Sequence, residues 1–345
     1  MESALTISPP SACAISSAAA DLPLAVGPAI KTIVAELSAI GKMLTALTLI
    51  CNPGRPLLGD ELASRLMLWL DHEDWAGAVS RRVLASGVAE DYLFEIAPAR
   101  RKELSDAVRR QLGEVAADVV IQPAEGRRKK LLVADMDSTI IGQECIDELA
   151  DLAGKRAEIS AITDRAMRGE LDFESALLER VAMLEGLPER ALAETFLERV
   201  KLNPGARTLV ATMKKAGATT ALVSGGFTYF TARVASAAGF DAHQANVLLV
   251  KNGVLTGDVE RPILGRAAKE EALVRIAREK GLAPEATLAV GDGANDLSML
   301  KRAGLGVAYH AKPAVAAAAS ARIDHGDLTA LLYLQGIGRE EFVHA

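Results

Sequence analysis

Residues 130–139 read Lys-Leu-Leu-Val-Ala-Asp-Met-Asp-Ser-Thr, and this stretch decides the fold. Leu131, Leu132 and Val133 form a short, unbroken apolar run. A run without alternation is what a strand buried on both faces of a parallel sheet requires. Two carboxylates, Asp135 and Asp137, stand where it ends. The same punctuation recurs twice downstream. Val223 is followed by Ser224, Gly225 and Gly226, and Val290 by Gly291, Asp292, Gly293, Ala294, Asn295 and Asp296. Further strands are expected at 219–223, 287–290 and 305–308, and helices at 227–238 and 269–280. Strand-helix alternation specifies an α/β fold with a doubly wound parallel sheet. The carboxyl ends of its strands share one edge, where such sheets bind ligands. The three polar clusters should therefore converge.

Working outward, residues 143–200 read as helical almost throughout and interrupt the alternation, so they are expected to form a helical cap over that edge. Residues 247–259 read as a hairpin, because Asn252-Gly253 supplies the positive φ angles of a type I′ turn. Upstream, a strand is expected at 44–50 and a helix at 59–70 with Leu62, Leu66, Trp69 and Leu70 on one face. A strand at 92–96, a helix at 101–115 and a strand at 118–122 complete a small α/β sandwich. The charged stretch 125–130 reads as a hinge. The chain thus divides into an extension at 1–42, a small domain at 43–125 and the main domain at 126–345. The extension is Ala- and Ser-rich, broken by prolines, and reads as disordered; a translation start at Met43 is the alternative.

Composition narrows the function classes. The 345 residues carry a formal net charge of −6, which offers no basic field to draw nucleic acid. No run of 18 or so uncharged apolar residues occurs, so no transmembrane helix is expected. Cys13, Cys51 and Cys145 are odd in number and far apart, fitting neither a disulfide framework nor a C-x-x-C zinc pattern. With no basic secretory flank at the start, a cytoplasmic location is expected. None of the five histidines falls at helical ligand spacing, so any metal should be held by oxygen.

Convergent carboxylates repel one another unless a cation neutralises them, and oxygen-only ligands suit Mg²⁺. Lys269 at the start of a helix adds an ammonium, and the glycine-rich turns add backbone amides. Together these make an anion receptor with a carboxylate nucleophile inside it.

In order and spacing, Asp135 to Thr139, Ser224, Lys269 and Gly291 to Asp296 resemble the four motifs of the haloacid dehalogenase superfamily, nearest to its phosphoserine phosphatase branch. The resemblance covers about residues 129–326. It implies hydrolysis of a small phosphomonoester, phosphoserine first, through an aspartyl-phosphate. By the same resemblance, Asp135 is the nucleophile and Asp137 the general acid and base. Mg²⁺ is held by the carboxylates of Asp135 and Asp292 and the backbone carbonyl of Asp137. Ser224 and Lys269 hold the phosphoryl oxygens, Asn295 and Asp296 orient the metal's waters and Lys269, Gly225 and Gly293 let the backbone approach, and Gly291 supports the site. Thr139 supports the site. Relatives of this kind often carry an ACT-type domain before the core, so 43–125 is expected to be a degenerate ACT-like unit that binds a regulatory amino acid, packs, or forms a homodimer.

Within the cap, Glu144 and Arg180 resemble the residues that bind the ammonium and the carboxylate of a phosphorylated amino acid, and Met167 and Phe173 its apolar cap positions. An Arg suits a carboxylate because its planar fork donates two parallel hydrogen bonds. The alternatives are a helix cap for Glu144, a surface pair with Glu179 or Glu185 for Arg180, and ordinary core for Met167 and Phe173. Another small phosphomonoester, or transfer of phosphate to an acceptor other than water, is the rival reading of the activity.

Overall fold

The computed structural model describes residues 41–72, 75, 78–167 and 170–344. All but the last two residues of the expected extension lie outside them. The first part comprises β1 (Met43–Cys51), α1 (Asp60–His72), β2 (Ser80–Ala85), β3 (Ala89–Ile96), α2 (Arg101–Leu112) and β4 (Ala117–Pro123). This is the element order of a split βαβ unit, with an antiparallel sheet of order β2-β3-β1-β4. Side chains alternate across β1 with period two. Leu47, Leu49 and Cys51 meet Leu66, Leu70, Leu104 and Val108 of the helices, while Ile50 packs into the core of the main domain. Strand β2 is not anticipated by its sequence, because Arg81 and Arg82 break the apolar pattern. Arg81 instead pairs with Glu90 (2.6 Å) and Asp60 (2.7 Å), which lets a charged strand form the sheet edge. Helix α2 stops at Leu112, three residues short of expectation, because Gly113 takes φ 60°.

The main domain begins with β5 (Leu131–Ala134) and the cap helices α3 (Cys145–Leu152), α4 (Arg156–Met167), α5 (Phe173–Ala182) and α6 (Arg190–Glu198). It continues through α7 (Ala206–Lys215), β6 (Thr219–Phe227), α8 (Thr228–Ala238) and β7 (Ala242–Asn246). The hairpin β8 (Leu248–Lys251) and β9 (Val254–Val259) turns at Asn252 (φ 54°) and Gly253 (φ 76°), as its sequence predicts. Then follow α9 (Ala268–Glu279), β10 (Thr287–Gly291), α10 (Leu297–Arg302), β11 (Leu305–Tyr309), α11 (Pro313–Ala318), β12 (Ala321–Ile323) and α12 (Ala330–Tyr333). Strand β7 and helix α7 were missed in the sequence reading. The polar β7, Ala-His-Gln-Ala-Asn, tolerates exposure because it forms the outer edge of the sheet.

The six strands run parallel in the order β12-β11-β10-β5-β6-β7. All four residues of β5 are buried. Leu132 and Ala134 face the α7 and α8 side, Leu131 and Val133 the α9 and α10 side, so both faces are covered by helices. Burying each large side chain contributes about 1.5–3 kcal/mol, which no solvated strand could match. The chain leaves β5 toward β6 and later returns to β10 on its other flank. That reversal puts a topological switch point at the carboxyl end of β5.

The stretch 125–130 is not a hinge. Arg127 and Lys129 are buried, and their charges are consumed by protein partners rather than solvated. Arg127 Nη1 and Nη2 donate to Asp91 (2.7 and 3.0 Å), Nη2 also to Thr48 Oγ1 and Tyr333 O (both 3.1 Å), and Nε to Leu334 O (2.9 Å). Lys129 Nζ donates to Gly126 O (2.8 Å) and Glu285 O (2.7 Å). Asp118 of β4 accepts the backbone N–H groups of Asp324 (2.7 Å), His325 (3.1 Å) and Gly326 (2.8 Å). The small domain is bolted to the main one.

Candidate active site

The carboxyl ends of β5, β6 and β10 lie side by side, and the polar residues beyond them meet. Asp135, Asp292 and Asp296 each offer an oxygen within 4.8 Å of the others. Lys269, projecting from the first turn of α9, inserts its ammonium between Asp135 Oδ1 (2.7 Å) and Asp296 Oδ1 (2.6 Å), and is only 3 % exposed. Burial pushes the Lys269 pKa down, but its two carboxylates more than reverse that, and the net shift is upward. Asp296 accepts the Gly293 N–H (3.0 Å) through its other oxygen, so both of its oxygens are engaged. Gly291 is required beneath it, since a Cβ there would overlap the Asp296 carboxyl.

One ammonium does not balance three carboxylates. Desolvation first, then the charge of Asp296, raise the pKa of Asp135 well above the ordinary carboxylate value. Desolvation, aided again by Asp296, pushes Asp292 up to about 6. Thr139 Oγ1 donates to Asp292 Oδ1 at 3.3 Å. A hard divalent cation shared by Asp135 and Asp292 would relieve both, and an all-oxygen donor set fits Mg²⁺. The cluster's third member by geometry is Asp296, which also contacts the Lys269 ammonium.

Asp137 points elsewhere. Its Oδ1 accepts the Cys145 N–H of the first turn of α3 (2.9 Å) and its Oδ2 the Ser224 hydroxyl (3.1 Å). Desolvation raises its pKa, opposed by the bond from Cys145. Ser138, between the two motif positions, takes φ 55°, a left-handed conformation costly for a residue with a Cβ. Its hydroxyl donates to Glu144 Oε1 at 2.7 Å.

Strand β6 runs on through the expected loop to Phe227. Ser224 Oγ accepts the Gly226 N–H (2.9 Å). A Cβ on Gly225 would lie 2.7 Å from the Phe173 ring, so this glycine makes room for the cap; it was expected to make room for phosphate. Gly293 abuts the side chain of Asn295, which is half-buried and makes no hydrogen bond among the described residues.

The cap residues gather at the same mouth. Phe173 opens α5 and packs over Gly225. Glu144 precedes α3, but its side chain makes no capping bond. Solvent reaches it although protein surrounds it; desolvation and then the Asp137 charge push its pKa up to about 7. Arg180 donates Nε to Ala176 O (3.1 Å) within its own helix. The alternative surface pair with Glu179 or Glu185 does not form among the described residues; Glu179 pairs with Arg165 instead (2.9 Å). Burial lowers the Arg180 pKa, and Glu144, Asp147 and Asp137 act on it in the opposite direction. Half-buried and without an ion-pair partner among the described residues, Arg180 is poised for an anion. The side chain of Met167 lies outside the described residues.

Two asparagine contacts, one from half-buried Asn203 and one from buried Asn246, have no signal in the sequence. Asn203 Nδ2 donates to Thr139 O (2.8 Å), and Asn246 Nδ2 to Gly225 O (2.9 Å). Neither adjoins a motif in sequence, and no spacing could have flagged them.

Residues 132–301 match the family model of the haloacid dehalogenase-like hydrolases. A phosphoserine phosphatase of Albidiferax ferrireducens is 49 % identical over 210 residues, which span 59 % of this chain and 89 % of that protein. A HAD-family hydrolase from Salmonella enterica serovar Typhi superposes with TM-score 0.74 at 30 % identity, covering 84 % of this chain and 98 % of that one. A structure described as a phospho-aspartyl intermediate analogue of phosphoserine phosphatase superposes with TM-score 0.56 at 43 % identity, covering 60 % of this chain and 98 % of that one.

Proposed function

The chain belongs to the haloacid dehalogenase-like hydrolases, and from that premise we propose that it is a phosphoserine phosphatase, a phosphoric monoester hydrolase that releases serine and phosphate from O-phosphoserine. The observation that carries this reading is a nucleophile-bearing carboxylate cluster under a cap that offers both a glutamate and an arginine with no ion pair among the described residues. The relatives named phosphoserine phosphatase support it.

Asp135 is the nucleophile. Lys269 on its Oδ1 fixes its rotamer and leaves Oδ2 to attack phosphorus in line. The phosphoryl group passes to that oxygen as the serine oxygen departs. Asp137, with its raised pKa, carries the proton the leaving oxygen needs, and takes a proton back from the water that then hydrolyses the acyl phosphate. Ser224 Oγ, the amides of the Ser224–Gly226 loop and Lys269 hold the phosphoryl oxygens, electrostatic work that dominates phosphoryl transfer. Asp135, Asp292 and the backbone carbonyl of Asp137 would hold Mg²⁺. The bound ion would neutralise charge between the nucleophile and the anionic ester. Arg180 takes the substrate carboxylate and Glu144, itself steadied by Ser138, the ammonium. Phe173 packs over the loop and excludes water. The buried thiols Cys51 and Cys145 suit a reducing cytoplasm, and no helix among the described residues is long and apolar enough to cross a membrane. The small domain is proposed as ACT-like, serving in packing or in a homodimer.

The test is phosphate release from a panel of small phosphomonoesters with and without Mg²⁺. Metal-dependent turnover with phosphoserine preferred is expected. Equal turnover of all esters would sink the substrate assignment, and turnover unaffected by chelation the metal assignment.

A further inference from the structure

The pairing of β6 with β7 slips beside the site: Val223 stands opposite Gln244, but Phe227 opposite Asn246. Four residues of β6 therefore span two of β7, and Ser224, Gly225 and Gly226 bulge out of the ladder. A bulge re-aims side chains and leaves backbone groups without ladder partners, and a buried carbonyl needs some other donor. For Gly225 O that donor is Asn246 Nδ2, at 2.9 Å. The same side chain, 2 % exposed, accepts the Leu264 N–H through Oδ1 (2.7 Å) and reaches Leu264 O through Nδ2 (3.4 Å).

Residues 247–263, which leave Asn246 and return to Leu264, carry the β8-β9 hairpin. Its backbone is bonded to the cap: Gly186 N–H to Leu255 O, Leu255 N–H to Leu187 O and Glu189 N–H to Gly253 O, each 2.9 Å. Beyond Leu264 the chain passes Gly265 and enters α9, which bears Lys269. Phe173 of the cap lies against both Gly225 and Gly265. One buried amide thus ties together the Ser224–Gly226 loop, the approach to Lys269 and the base of the cap's hairpin.

We infer that Asn246 is a positioning residue for phosphoryl transfer. It sets the Ser224–Gly226 bulge against Asp137 and couples that bulge to the seating of the cap hairpin. The inference rests on the phosphatase reading of this site. An Asn that merely filled a core would couple to nothing in the reaction.

Asn246→Asp keeps the shape and the acceptor for Leu264 N–H but replaces the donor to Gly225 O by an oxygen. The expected result is a fall in kcat of about 10- to 100-fold, as for a misplacement of about 1 Å. The fall should be alike for phosphoserine and for a carboxylate-free ester such as phenyl phosphate, with KM little changed. Combined with Ser224→Ala, the loss should be smaller than the product of the single losses, because both act through one loop. A kcat equal to wild type, or losses that multiply, would overturn the inference. Should Asn246→Asp fail to fold, Asn246→Ser carries the same comparison. If the wild type itself released phosphate from neither ester, the phosphatase reading would fall instead.

Discussion

The buried charges at the domain seam and those at the carboxyl end of β5 are finished in opposite ways. At the seam between the domains, Arg127 (7 % exposed) has every guanidinium nitrogen bonded, and Asp91 (1 % exposed) receives two of those bonds and one from Thr48. At the carboxyl end of β5, three carboxylates crowd a single ammonium, and the carboxyls of Asp135 and Asp292 are forced upward in pKa. The seam is complete within the chain and holds two domains rigidly. The β5 edge is complete only when something outside the chain joins it. Burial of charge is therefore not a sign of function by itself; burial with the balance left open is.

The comparison can be broken at either cluster. The largest effect is expected from Asp135→Asn, which removes the nucleophile: phosphate release should fall by at least about 10⁴-fold while the fold persists, as initial rates and circular dichroism would check. Next is Arg127→Ala, which strands Asp91. Denaturant unfolding should show a loss of about 3–5 kcal/mol, with kcat of the folded enzyme nearly unchanged. Arg180→Ala should lower kcat/KM for phosphoserine about 100-fold, roughly 2.7 kcal/mol, and leave a carboxylate-free ester almost untouched. The smallest effect is a gain. Because the Asp292 pKa rises from 3.8 to about 6 on folding, the metal-free native state holds its proton longer than the unfolded chain. Its contribution to stability is therefore lost as pH rises through that interval. In chelator at about pH 7, Asp292→Asn should stabilise the protein, by well under the roughly 3 kcal/mol of the full shift because the half-buried carboxyl is screened by solvent, and flatten that part of the pH profile, measured by melting at several pH values.

The sequence made the sheet legible where burial was total. Leu131 to Ala134 could hardly be other than a central strand, and the positions after each apolar run placed the site at its edge. Two edge strands, β2 and β7, were illegible, because they carry polar side chains whose pairing with Glu90, Asp60 or solvent is decided only in three dimensions. The stretch 125–130 misled for the same reason: its charges look solvated until Asp91, 36 residues away, and the carbonyls near the chain's end come to meet Arg127. Asp137 and Asp296 stood out by motif, but Asn246 did not, since its role follows from a register slip that no local pattern records.

The most direct test is chemical trapping of the enzyme during turnover. Mg²⁺-loaded protein, mixed with phosphoserine, quenched in acid and digested, should yield the peptide containing Asp135 heavier by one phosphoryl group, and Asp135→Asn should yield none. Steady turnover with no phosphorylated peptide, or with the phosphoryl group on another residue, would contradict the account.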